Sequence, residues 1–218
     1  MQSKNLSNLS STSSPSASHL SHDEKHELFY ELNYLNMGEL HVFCRQHKIP
    51  FKILVETGDG KTRSTNELDR KGIVIRRIRH YLETGEILPA TCFQSNVTSF
   101  EPHPDKLTSN DRLYFGQYHK KNKALMHVLA ELTNGEFKDG AIARILAREF
   151  WTRDEAPTLE TFAKAWLRAK ANQGAPNPEW AFLRDLSAGR ADKNWKKKRQ
   201  KKAGEVIAIL RKIAPPPA

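Results

Sequence analysis

At 218 residues and 38% hydrophobic content, the chain has room for one or two modest cores and leaves part of itself unable to join them. Lys and Arg total 35 against 25 Asp and Glu, a formal charge of +10, with fifteen bases against seven acids in residues 151–218. No run approaches the roughly 18 apolar residues of a membrane helix, and two cysteines make no disulfide framework, so the expectation is a soluble cytoplasmic protein, nucleoid-associated or not, with an anionic polymer as partner.

Residues 1–21 are dominated by serine, with Leu6, Leu9 and Leu20 too sparse to offset ordering entropy, so a disordered tail without a secretory h-region is expected. "SHDE" at 21–24 has the Ser-x-x-Glu form of a capping box and predicts a helix start, followed by Leu28, Phe29, Leu32 and Leu35 on one face. "MGELHVFCRQH", 37–47, predicts a second helix with Leu40, Phe43 and Cys44 inward, ended by Ile49-Pro50.

"VETGDGKTRS", 55–64, invites a phosphate-loop reading that fails, because Val55 stands where the first glycine is needed and no helix opens on Lys61-Thr62. A β-hairpin turning at Thr57-Gly58-Asp59-Gly60 is predicted, both glycines supplying positive φ. Asp69 is expected to cap "RKGIVIRRIRHYLETG", with Val74, Ile75, Ile78, Tyr81 and Leu82 on one face and Gly85 as the stop.

Residues 89–107, with Pro89, Pro102 and Pro104, read as a linker, and 108–213 as a helical domain. Helices are predicted over "TSNDRLYFGQYH", "NKALMHVLAELTNG", "KDGAIARILAREFW" and "TLETFAKAWLRAK", over a segment opened by Asn177-Pro178, and from about Asp192 to Ile213. Trp151, Trp166 and Trp180 have apolar neighbours and read as packing residues. The fold class is mostly α.

The runs "ELNYLNMGELHVFCRQHKIP" and "RKGIVIRRIRHYLETGEIL" together resemble the SAP motif, a helix-extended-helix DNA-binding module, in a bacterial form. The second helix of that form ends in a pattern matched by Arg77, Ile78, Tyr81, Leu82, Thr84, Gly85 and Glu86. The resemblance covers about residues 28–88 of a module spanning 22–88. It departs from the family where Asp69-Arg70-Lys71 replaces a glycine, small residue, lysine connection, and where the hairpin at 51–65 enters as an insertion between the helices. "TLETFAKAWLRAKANQGAP" is similar to C-terminal segments of the same bacterial proteins.

The resemblance implies that the start of the second helix and the preceding loop meet the DNA backbone and minor groove with little sequence preference. On this chain that surface holds Lys61, Arg63, Arg70 and Lys71, flanked by Arg77, Arg45 and Lys48. A helix start with nearby cations suits phosphate independently of any family. "KNWKKKRQKK" supplies a second basic contact through Lys196, Lys197, Lys198, Arg199, Lys201 and Lys202, on a helix docked by Trp195, Val206, Leu210 and Ile213. The alternative for Arg76, Arg77 and Arg79 is a solvated helix face, with Arg79 paired to Glu83.

His41, Cys44 and His47 are spaced three apart, a step that drifts around a helix, so a core cysteine between surface histidines is expected rather than a metal site. No nucleophile elbow, zinc-protease helix or grouped carboxylates occur, and no catalytic, cofactor or metal residues are assigned. Duplex DNA is the expected partner, ahead of RNA, with no membrane. An adaptor whose helical domain recruits a protein is the reading from a different class.

Overall fold

The computed structural model describes residues 20–102, 104–172 and 195–215, and the chain divides into two units that each take up non-contiguous stretches. A helical unit is built from residues 20–50, 70–89 and 195–215, and a mixed unit from 51–69 and 90–172. The expected tail lies outside the described residues except for its last two, and the helix opened by Asn177-Pro178 lies outside them as well.

In the helical unit, α1 (His22–Glu31) starts at the predicted capping box: Ser21 Oγ accepts from the Glu24 amide, and the Glu24 carboxylate accepts from the Ser21 amide at 2.8 Å. A 3₁₀ turn, Leu32–Tyr34, leads to α2 (Met37–Gln46), which begins at a second capping box formed by Asn36 and Glu39. The third helix, α3 (Lys71–Thr84), ends at Gly85 as predicted but does not begin at an Asp69 cap. Arg70 is its N-cap, with no side-chain capping bond, while Asp69 is buried in the other unit and accepts from the Thr91 hydroxyl at 2.7 Å.

The last helix, α7 (Trp195–Ile213), packs on α1 and on the 3₁₀ turn. Ala203, Val206, Leu210 and Ala214 therefore join a core with Leu28, Leu32, Leu35, Leu40, Phe43, Val74, Ile78 and Leu82. Of the predicted apolar line along α7, Val206 and Leu210 are buried and Ile213 is half-buried, the Trp195 side chain lying outside the described residues; the helix closes the unit begun at the N-terminus instead of a C-terminal domain spanning 108–213.

The mixed unit contains the hairpin. Strands β1 (Lys52–Glu56) and β2 (Thr62–Leu68) pair antiparallel, with Val55 opposite Arg63, and β1 also pairs in parallel with β3 (Cys92–Phe93). Ile53 and Val55 alternate inward along β1 and pack in one core with Phe93, Val97, Leu113, Phe115 and Trp151. The hairpin thus belongs to a different unit from the helices that flank it in sequence. Its turn uses one positive-φ glycine, Gly60 at +76°, with the Thr57 amide bonded to the Lys61 carbonyl at 2.7 Å.

Residues 89–107, expected as a linker, hold β3 and a 3₁₀ turn, Ser95–Val97, because single apolar residues such as Phe93 and Val97 are buried between the prolines. Three of the predicted helices follow: α4 (Lys123–Leu132), α5 (Ala141–Thr152) and α6 (Leu159–Ala171), capped by Asn122, Gly140 and Thr158 respectively. Trp151 and Trp166 are packing residues as expected, 3% exposed each. "TSNDRLYFGQYH" is not a helix: Leu113 and Phe115 run extended, with the Phe115 amide bonded to Val97 O at 2.9 Å. No helix among the described residues is long and apolar enough to cross a membrane.

Candidate nucleic-acid interface

The predicted site residues fall into three groups with different environments. Lys61 and Arg63 belong to the mixed unit, Lys61 paired to Asp59 at 2.9 Å and Arg63 lying over the Phe100 ring at 4.8 Å. They do not share a unit with Arg70 and Lys71, because the hairpin that carries them is committed to its own sheet.

Arg77 is a core residue. It is 3% exposed, and its guanidinium donates to Pro89 O at 3.0 Å and Pro50 O at 3.1 Å. Those carbonyls sit at the two ends of the helical unit's chain segments, so Arg77 satisfies two orphan acceptors and cannot also meet a phosphate. Its neighbour Arg79 lies over the Phe29 ring at 4.7 Å, where the alternative reading paired it with Glu83.

The remaining cations lie in the helical unit. Lys71 opens α3, and its ammonium donates to Asn33 O at 2.5 Å. Burial lowers its pKa to about 8; the Arg199 charge also lowers it, and Glu39 opposes. α7 packs on the same 3₁₀ turn that Lys71 bonds, which brings Arg199, from the far end of the chain, into the same neighbourhood. Arg199 in turn donates to both Glu39 oxygens, at 2.6 and 2.8 Å, so α7 reaches the first turn of α2 as well.

Lys202 bonds the Glu31 carboxylate and lies 3.7 Å from Glu205, which raises its pKa. Lys197, Lys198 and Lys201 are exposed on the same helix, Lys201 only 3.9 Å from Glu205. The Lys196 side chain lies outside what the structure describes. Arg45 is exposed in the last turn of α2, about 9 Å along the helix axis from Glu39, and Lys48 is exposed just beyond the helix end.

The two basic clusters seen in the sequence, at 70–71 and 196–202, therefore meet within one unit, with two of their members neutralised by Glu39 and Glu31. Sequence reasoning missed those carboxylates; Glu39 was legible as the fourth residue of Asn-x-x-Glu, a second capping box. The histidines flanking Cys44 are also buried rather than on the surface, His41 at 8% and His47 at 5%, with His47 Nδ1 3.1 Å from the Tyr81 hydroxyl. Searches against protein families, curated proteins and solved structures found no match for this chain.

Proposed function

We propose that the chain is a non-enzymatic nucleic-acid-binding protein that holds duplex DNA through the helical unit, with little sequence preference. The observation that carries this reading is that the start of α3 and the lysine-rich α7 both reach the 3₁₀ turn, Lys71 bonding Asn33 O and α7 packing on the same turn. The exposed ammonium groups of Lys197, Lys198 and Lys201 are the phosphate contacts, and Arg70 extends them at the N-cap of α3. Lys71 and Arg199 are supports: one braces the 3₁₀ turn, the other fixes α7 on α2.

The reading keeps the SAP-like arrangement of α2 and α3 as a proposal and moves the contact surface toward α7. Lysines on a helix contact phosphates as point charges, carrying no base code, so affinity is electrostatic and salt-dependent. With about four phosphate contacts, raising salt from 50 to 200 mM weakens binding roughly a hundredfold. Fluorescence anisotropy with a labelled random duplex measures this. A salt-insensitive signal, or displacement of the duplex by an equal concentration of structured RNA, contradicts the duplex reading.

A further inference from the structure

The mixed unit contains a cleft of about 480 Å³ that the duplex-binding reading does not use, lined by Glu67, Phe115, Tyr118, Lys120, Arg144 and Arg148, among others. That volume is within the range of small-ligand sites. We propose that this cleft binds the phosphomonoester of a 5′-nucleotide, with the planar base beside it.

Two arginines one helical turn apart on α5 supply the anion contacts. Arg148 donates to Glu67 at 2.5 Å and to Leu68 O at 3.1 Å; Arg144 donates to both Asp139 oxygens, at 3.3 and 3.1 Å. These bonds fix the direction of each guanidinium, and a planar fork held in place meets oxyanions without further loss of freedom. They leave Nη1 of Arg144 and Nε of Arg148 without a protein acceptor among the described residues. Asp139 also accepts from the Tyr118 hydroxyl at 3.0 Å, which holds both its oxygens in place.

Lys120 adds a third cation at the lip, exposed and without an ion pair among the described residues. Three cations against two carboxylates leave one net positive charge, which an anion completes. Three separate cationic donors match the three terminal oxygens of a phosphomonoester better than the two of a carboxylate. The half-buried Tyr118 ring faces the base, backed by the buried Phe115 and Trp151, whose edge-to-face packing puts the Phe115 and Tyr118 centroids 5.5 and 6.3 Å from that of Trp151. Gly116 keeps the loop between these rings close to Ser99, where an added Cβ would stand 2.4 Å from the Ser99 carbonyl.

A phosphomonoester beside a ring is found in a free mononucleotide and at the 5′ end of a strand. Calorimetric titration of the full chain with adenosine 5′-monophosphate, a 5′-phosphorylated dinucleotide, adenosine and inorganic phosphate separates the contributions. The expected result is saturation by one of the two phosphorylated ligands below about 1 mM, with adenosine and inorganic phosphate at least about tenfold weaker. Whichever phosphorylated ligand binds more tightly identifies the source. Lys120→Ala, at an exposed position, is expected to weaken binding about threefold or more at an unchanged melting temperature, and Arg148→Lys to weaken it further. Absence of saturation by both phosphorylated ligands, or equal binding by the two variants, overturns the proposal; duplex binding by the other unit bears on neither outcome.

Discussion

The Lys71 ammonium donates to the main-chain oxygen of Asn33, so the cation at the start of α3 closes a contact with the turn between α1 and α2. Burial lowers its pKa first, with Arg199 adding to the effect, to about 8 from 10.5. In the window from about pH 8 to 10.5 the unfolded chain holds a proton that the folded chain has released. Stability from this group is therefore fully present above 10.5 and is lost as pH falls through 8. Cys44 acts in the opposite sense, since burial raises its thiol to about 12 from 9.0, and its contribution is lost as pH rises from 9 toward 12.

Comparison of the wild type with Lys71→Met isolates the lysine. Urea unfolding at a series of pH values is expected to show the wild type gaining on the variant between pH 8 and 10.5. A difference that stays constant across that window shows that the ammonium is not desolvated.

The buried histidines predict a second pH dependence. Burial depresses His47, partly opposed by the Ala214 carbonyl, and His41 is depressed by burial and then by Arg45. Groups with folded pKa values below the free value of about 6.5 stabilise fully above that pH, and the contribution is lost as pH falls through the folded values. The helical unit is expected to lose stability as pH falls below about 6.5, and His47→Phe, which keeps the ring against Phe43, to lose less. An equal loss in both proteins would assign the acid sensitivity elsewhere.

Arg77 should be the most costly of the predicted site residues to replace. Arg77→Met leaves Pro50 O and Pro89 O without their donor, a loss of about 2–4 kcal/mol in denaturant unfolding. Arg77→Lys recovers little, because a single ammonium does not span two carbonyls as the fork does. Wild-type stability in Arg77→Met would return Arg77 to the surface.

Gly116 has φ +92°, and the space a Cβ needs is taken by Ser99 O at 2.4 Å. Gly116→Ala is expected to cost about 1–3 kcal/mol and to displace the loop that carries Tyr118 and Lys120. A thermal melt checks the stability, and an unchanged melting temperature would mean the loop relaxes freely.

What the sequence revealed depended on whether the signal was local. Ser21 with Glu24, the apolar face of α3 and its glycine stop, and the three helices between 123 and 171 are written in spacings of three and four, and all are present. The destination of a face is not local. Ile53 and Val55 alternate as a half-buried strand should, but the second partner of β1, beside its hairpin mate β2, is a two-residue strand too short to carry any period. The apolar line of α7 was legible, and what it covers lies more than 160 residues earlier. Arg77 and Arg79 look alike in the sequence; only packing makes one a buried tie and the other a cap over Phe29. In the run around Gly116, aromatic residues at helical spacing concealed a backbone that turns at positive φ.

The central claim is that exposed α7 lysines, brought beside the start of α3, hold duplex DNA. The double variant Lys197→Glu/Lys201→Glu removes two of them while leaving the Arg199–Glu39 and Lys202–Glu31 pairs in place. Its affinity for a random duplex, measured by anisotropy across a salt series, is expected to fall at least about tenfold at 100 mM salt, with the slope of log K against log salt reduced by about two. A folded double variant with the parent's affinity and the parent's slope would contradict the account.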